Sequence, residues 1–221
     1  MENEPSTDSW LEDTRTSYDT VAASYADQVR NLLDETPVER GVLELFADLV
    51  SSRGGGSVAD VGCGPGRITA HLRQLGVDAF GIDLSPGMIE MARRDHPGLR
   101  FELGSMTDLN LSDGSIAGLV AWYSLIHIPD TRIGTVFKHF HRVLRPGGPL
   151  LLSFHVGDTS KVKTEGYGGH PMKVTVHRRQ HSQMIGWLDE AGFTVDEHRT
   201  LTSAESTLGG ILLARRRPDL Q

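Results

Sequence analysis

The chain has 221 residues, of which 38% are hydrophobic and 6% aromatic, a composition typical of an ordinary globular domain. Its 22 Lys and Arg residues against 29 Asp and Glu residues give a net charge of −7, which disfavours nucleic acids and other polyanions as partners. The single cysteine, Cys63, excludes an intramolecular disulfide and a cysteine-built zinc site, and indicates a reducing compartment.

The N-terminal segment lacks the pattern of a secretory signal. Met1–Asp8 carries acidic and polar side chains where a signal peptide needs a basic start followed by an apolar stretch. No apolar run is long enough to span a bilayer. We therefore expect a cytoplasmic protein without membrane contact, either a monomer or a homodimer, in which residues 1–12 form a disordered tail and residues 13–221 one domain.

Helical and strand patterns alternate through the first two thirds of the chain. Two helical stretches, about Thr14–Leu33 and Val38–Val50, come first, and three consecutive glycines in Ser51–Ser57 form a flexible link. Short apolar runs rich in β-branched residues then alternate with helical patterns: Ser57–Val61, Ala79–Ile82, Arg100–Leu103, Gly118–Ser124 and Pro149–Phe154. This alternation predicts a parallel sheet with helices on both faces.

The last third of the chain has a different pattern. The Gly157–Gly169 segment is a polar connection and Met172–Arg178 alternates like a half-exposed strand, so residues 157–178 are predicted to be an insertion on the substrate side. A helix is predicted at Gln180–Ala191. Phe193–Arg199 and Leu208–Arg215 follow as two strands that pair antiparallel, because their connection is short.

A glycine-rich turn follows the first strand. Gly62, Gly64 and Gly66 stand at alternate positions before an amphipathic helix, where bare backbone can let main-chain N–H groups meet a ligand directly. A purely structural turn is the alternative. Asp83 ends the next strand, 21 positions after Gly62, at the spacing of a carboxylate that accepts hydrogen bonds from ribose hydroxyls.

A nicotinamide dehydrogenase would use the same sheet edge and the same acidic residue. Its fingerprint requires G-x-G-x-x-G, and Arg67 stands where the third glycine should be. No second nucleotide-binding half follows, so the sequence argues against hydride transfer.

The ordered motifs of the chain resemble those of the class I S-adenosylmethionine-dependent methyltransferases, particularly the branch with small-molecule substrates. The resemblance covers most of the chain and is carried by Val58–Arg67, Ala79–Glu90, Phe101–Leu109, Trp122–Pro129, Leu144–Gly148 and Ala191–Phe193. It implies an α/β, Rossmann-like fold with a seven-stranded, mostly parallel sheet, an antiparallel C-terminal strand and helices on both faces. It also implies S-adenosylmethionine as cofactor, S-adenosylhomocysteine (SAH) as product, and residues 13–52 as a lid.

The resemblance assigns the cofactor-binding residues by position. Asp60 and the glycines surround the methionine moiety, Leu84 and Met88 line the adenine side, and Ser105 and Met106 flank the base. The full set implied is Tyr18, Asp60, Gly62, Gly64, Gly66, Arg67, Asp83, Leu84, Met88, Ser105, Met106 and Ala121. Two positions depart from the family, since Ser105 replaces a common Asp or Asn, and Ala117 a common Asp.

Several residues and two basic segments have two interpretations each. Tyr18 and Tyr25 share one face of a helix, and they either form a core stripe or, as in relatives with a similar Tyr-Asp…Tyr pattern, close over the cofactor. Arg67 either pairs with the cofactor carboxylate or is solvated. The basic spots Arg178–Arg179 and Arg215–Arg217 are interpreted as solvated faces, with a polyanion contact as the alternative.

Methyl transfer from a sulfonium is an in-line displacement, so alignment and exclusion of water are the main requirements. An oxygen acceptor also needs a general base, for which His127 is the first candidate and Tyr123 the second, with His155 and His170 as weaker ones. A structural role is the alternative for each. No metal site is predicted. We expect methyl transfer to an O or N atom of a small molecule; the alternatives are an RNA or protein methyltransferase and a non-catalytic cofactor sensor.

Overall fold

The computed structural model describes residues 9–202 and 208–218, and it begins with two helices, α1 (Ser9–Val29) and α2 (Pro37–Ser52). The first helix starts inside the stretch 1–12 that the sequence predicted to be a disordered tail. Trp10 packs against the main core, which gives this end of the helix an apolar partner. The helix also ends four residues before Leu33, where the chain turns.

Seven strands form one sheet in the order β3-β2-β1-β4-β5-β9-β8. Their bounds are Ser57–Val61 (β1), Asp78–Asp83 (β2), Phe101–Leu103 (β3), Gly118–Trp122 (β4), Pro149–His155 (β5), Phe193–Thr202 (β8) and Leu208–Arg216 (β9). Only β9 runs antiparallel to its neighbours β5 and β8 in this sheet of the described residues. The predicted α/β, Rossmann-like sheet with its antiparallel C-terminal strand is confirmed.

Helices cover both faces of this sheet, as predicted. The remaining helices are Arg67–Gln74 (α3), Pro86–Asp95 (α4), Asp130–Val143 (α5) and His181–Glu190 (α6). Apolar residues of α5 and α6 pack on one face, while those of α2 and α3 pack on the other. Ser85 caps α4 by accepting a hydrogen bond from the Met88 N–H at 3.1 Å. None of the described helices is both long and apolar enough to traverse a bilayer.

The predicted insertion contains a second, two-stranded sheet. Lys161–Gly166 (β6) pairs antiparallel with His170–Val176 (β7), so the Gly157–Gly169 segment is not the continuous loop that the sequence suggested. The alternation of apolar and polar residues in β7 was visible in the sequence, because Met172 and Val174 are buried while Lys173 is exposed. No side chain of β6 is buried, so this strand has no pattern of apolar residues that could have predicted it.

Candidate active site

A cavity of about 740 Å³ lies at the carboxyl edge of β1, β2 and β4. In a parallel sheet these strand ends share one edge, so residues distant in sequence meet there. The predicted site residues that line the cavity are Tyr18, Gly62, Gly64, Asp83, Leu84, Met88, Ser105, Met106, Tyr123 and His127. Asp60, Gly66, Arg67 and Ala121 are not among its lining residues.

The glycine turn between β1 and α3 has a structural basis as well as a functional one. Gly62 and Gly66 have φ values of +76° and +84°, and an added Cβ would lie 2.3 Å from the Ser124 Cβ or 2.6 Å from the Phe101 ring, respectively. The N–H groups of Gly62 and Gly66 donate to carbonyls within the protein. These two glycines therefore allow the turn to pack closely against Ser124 and Phe101, and their N–H groups are not the free donors that the sequence suggested.

Asp83 connects this turn to the next strand. Its Oδ2 accepts a hydrogen bond from the Gly64 N–H at 2.8 Å, and its Oδ1 accepts one from the Ser85 N–H at 2.9 Å. Burial raises the pKa of the carboxyl group, and the two N–H donors partly oppose that rise. Each carboxylate oxygen has a second acceptor position, so the group can still bind two hydroxyls in the cavity.

Asp60 lies beneath the turn rather than on the cavity wall. Its side chain is fully buried; Oδ2 accepts a hydrogen bond from the Thr69 hydroxyl at 2.6 Å, and Oδ1 has no partner among the described residues. Burial raises the pKa of this carboxyl group to about 6. One terminal nitrogen of Arg67 is likewise buried without a partner in the described part of the chain. Ala121 belongs to the main core cluster.

Tyr18 and His127 form a hydrogen-bonded pair at the cavity. His127 Nδ1 lies 2.8 Å from the Thr175 carbonyl oxygen, which can only accept, so Nδ1 carries the proton. Nε2 is then the acceptor for the Tyr18 hydroxyl at 2.7 Å. Burial lowers the pKa of His127 to about 4, so the imidazole is neutral at pH 7. Burial also raises the pKa of Tyr18, which keeps its hydroxyl protonated.

Tyr123 shapes the end of β4. Its φ of +50° is unusual for a residue other than glycine, and its N–H donates to the Ser153 hydroxyl at 2.8 Å. Its hydroxyl lies where a Cβ on Gly209 would be only 2.4 Å away. The next residue, Ser124, donates to the Val61 carbonyl at 2.7 Å. Tyr123 therefore bends the chain against the glycine turn.

The other two histidine candidates do not line the cavity. The His155 ring lies 5.3 Å from that of Tyr123. His170 is exposed at the start of β7.

Several residues of the site were not singled out from the sequence. Trp10 lines the cavity from α1. Asp19, on the same helix, accepts hydrogen bonds from the Ser85 hydroxyl at 2.6 Å and the Gly87 N–H at 2.9 Å, which attaches α1 to the start of α4. The Tyr167 ring packs edge-on against Tyr25 with 4.7 Å between centroids. The sequence signal for Asp19 was its place in the Tyr-Asp pattern; the other two had none.

The strand order, the glycine turn after β1 and the carboxylate after β2 are features of α/β domains that bind nucleoside-containing ligands at the sheet edge. Residues 58–148 match the family model of a methyltransferase domain. In this segment the chain is similar to the class I S-adenosylmethionine-dependent methyltransferases.

Curated methyltransferases are among the proteins that this chain resembles. Malonyl-[acyl-carrier protein] O-methyltransferase from Pseudescherichia vulneris is 28% identical over 133 residues, which cover 60% of this chain and 52% of that one. The chain spans about half the length, or less, of such curated relatives.

Two solved structures share the architecture. The DhpI–SAH complex has a TM-score of 0.75 at 17% identity and covers 97% of this chain and 100% of that one. Magnesium protoporphyrin IX methyltransferase (ChlM) from Synechocystis PCC 6803 with bound SAM has a TM-score of 0.71 at 16% identity and covers 96% and 100%. At these identities the likeness shows the fold.

Proposed function

We propose that this protein transfers the methyl group of S-adenosylmethionine to an O or N atom of a small molecule. The observation that carries the proposal is the cavity in which Asp83 lies beside the glycine turn and the Tyr18–His127 pair lines the same space. The match of residues 58–148 to the family model of a methyltransferase domain supports it.

The residues at the cavity fit the donor. Asp83 has acceptor positions for two ribose hydroxyls, while Leu84, Met88 and Met106 offer an apolar lining for adenine. Outside the cavity lining, the unpartnered Asp60 Oδ1 suits the ammonium group of the methionine end and the unpartnered nitrogen of Arg67 suits its carboxylate. When bound, S-adenosylmethionine supplies a methyl group on a positively charged sulfur.

The chain's own contribution is mainly alignment and exclusion of water. Tyr18 and Tyr25 from α1 and Tyr167 from the hairpin form consecutive edge-on ring contacts beside the cavity, with centroid distances of 5.9 and 4.7 Å. Holding two reactants in line can remove about 7–11 kcal/mol of an activation barrier. A concave cavity on this scale is typical of small-molecule sites, which favours a small acceptor over a folded protein or RNA.

His127 provides a base for an oxygen acceptor. Because Nδ1–H is held by Thr175, the lone pair of Nε2 points to the Tyr18 hydroxyl. An acceptor hydroxyl that donates to the Tyr18 oxygen can pass its proton along this path, as the Tyr18 proton moves to Nε2. A nitrogen acceptor that arrives unprotonated needs alignment alone.

The test combines binding with turnover. Calorimetric titration with SAH should give saturable one-to-one binding, and a metabolite panel with labelled donor should give a methylated product. Labelled RNA or protein with no labelled metabolite would support the alternative substrates. SAH binding without transfer to any acceptor would support a sensor, and absence of SAH binding would refute the proposal.

A further inference from the structure

Arg179 is buried in the protein, although the sequence suggested a solvated basic spot at Arg178–Arg179. Only 1% of its surface is exposed. Its guanidinium donates to the Leu125 carbonyl at 3.0 Å and to the Ile128 carbonyl, and it pairs with Asp130 Oδ1 at 2.8 Å. An arginine that is fully bonded inside the protein cannot bind a polyanion.

The two carbonyls belong to the turn that carries His127. Leu125–His127 forms one turn of 3₁₀ helix after β4, and Arg179 bonds the carbonyl at its start and the carbonyl just after its end. The planar guanidinium presents five N–H donors in a fixed fork, so one side chain can hold both groups at once. A lysine ammonium is a point donor on a flexible stem and lacks this geometry.

The segment that leads to Arg179 contacts the same turn at every second residue. The Thr175 carbonyl accepts the hydrogen bond from His127 Nδ1 at 2.8 Å. The His177 N–H donates to the Ile126 carbonyl at 2.7 Å. Arg179 then completes the series, so residues 175–179 hold the turn on both sides of His127.

We propose that Arg179 is a positioning residue, which fixes the 125–128 turn so that His127 keeps Nδ1 on Thr175 and presents Nε2 to Tyr18. The inference rests on the proposed function only for the use of His127 as a base. Its structural content, the orientation and tautomer of His127, can be measured without an acceptor.

The test is nitrogen-15 NMR of histidine-labelled protein at neutral pH. The His127 signals are assigned by their absence in His127→Ala, and in the wild type they should report the Nδ1–H tautomer. In Arg179→Met the turn loses its side-chain support, so we expect loss of the fixed tautomer and a mixture of both forms. Arg179→Lys, which can bond one acceptor at a time, should lie between the two.

Arg178→Met is the matched control, because within the described part of the chain this neighbouring arginine has no side-chain hydrogen bond to the turn, and its loss should leave His127 unchanged. An unchanged tautomer in folded Arg179→Met, or an equal effect of Arg178→Met, would overturn the inference. If Arg179→Met does not fold, Arg179→Lys decides: a reduced Nδ1–H fraction supports the inference and a wild-type spectrum overturns it.

Calorimetry with SAH separates this inference from the proposed function. We expect the affinity of Arg179→Lys to stay within about twofold of wild type, since Arg179 does not line the cavity. Wild-type protein that does not bind SAH would remove the proposed function, yet the NMR comparison would still report on Arg179. Normal SAH binding with an unaffected His127 would remove only the inference.

Discussion

Replacing Asp60 by Asn should have opposite effects on stability and on donor binding. The carboxyl group is fully buried, and one of its oxygens has no partner among the described residues. Asn has nearly the same shape and can keep the hydrogen bond from the Thr69 hydroxyl through its own oxygen. The substitution therefore removes a buried charge with little change in packing.

The magnitude follows from the pKa of Asp60, which burial raises from 3.8 to about 6. Because the folded state binds the proton more tightly than the unfolded state, the wild type loses stability as the pH rises from about 4 to about 6. One pKa unit corresponds to 1.36 kcal/mol, so this loss is about 3 kcal/mol above pH 6. Asp60→Asn avoids it and should be more stable at pH 7.5.

Urea unfolding between pH 4 and pH 8 measures this effect. The stability difference between Asp60→Asn and wild type should be near zero at pH 4 and grow to about 3 kcal/mol above pH 6. Asp78→Asn on β2 is the control for an exposed carboxylate. A difference independent of pH, or a less stable variant at pH 7.5, would refute the reasoning. In contrast, SAH affinity should fall, because the variant lacks the charge proposed to face the ammonium group.

The remaining predictions concern the cavity itself. Asp83→Asn should weaken SAH binding about tenfold to a hundredfold, because a charge-assisted hydrogen bond contributes about 1.5–3 kcal/mol. Calorimetry with Asp78→Asn as the control checks this, and wild-type affinity would contradict the assignment of Asp83 to the ribose. His127→Ala should lower turnover of a hydroxyl acceptor by about 10²–10⁴-fold while SAH affinity changes little. Tyr18→Phe should lower turnover less, because His127 Nε2 remains. Unchanged turnover of His127→Ala at saturating acceptor would remove His127 from the mechanism.

Much of the fold could be predicted because its signals are local. The apolar runs of β1 and β2, the helical spacing of α5 and the Ser85-Pro86 start of α4 each lie within a few consecutive residues. The seven-stranded, mostly parallel sheet and its antiparallel C-terminal strand followed from the family resemblance. The hairpin strand β6 could not be predicted, because none of its side chains is buried. Its only stabilising contact of regular form is backbone pairing with β7, and backbone pairing leaves no pattern in the sequence.

The candidate site could be predicted where a single residue at the end of a strand contacts the cavity directly. Asp83, the last residue of β2, and Gly62, just after β1, are of this kind because both line the cavity directly. The interactions that orient the site are long-range in sequence: Tyr18 meets His127 across 109 positions, and Arg179 meets Leu125 across 54. No local pattern distinguishes a buried, fully bonded arginine from a solvated one.

In the mechanism proposed above, helix α1 both closes the cavity and completes the proton path. Apolar contacts attach it to the rest of the protein, because Val21 and Ala22 cluster with Met88, Met172 and Val174. Polar contacts add to these, since Asp19 bonds the start of α4 and the Ser17 hydroxyl accepts the Lys173 N–H at 2.8 Å. The same helix turn carries Tyr18 to His127. If α1 moves away to admit the donor, Nε2 loses Tyr18 as its partner, and when α1 returns the pair forms again. On this proposal, Nε2 is connected to the acceptor only while α1 closes over the cavity and excludes water.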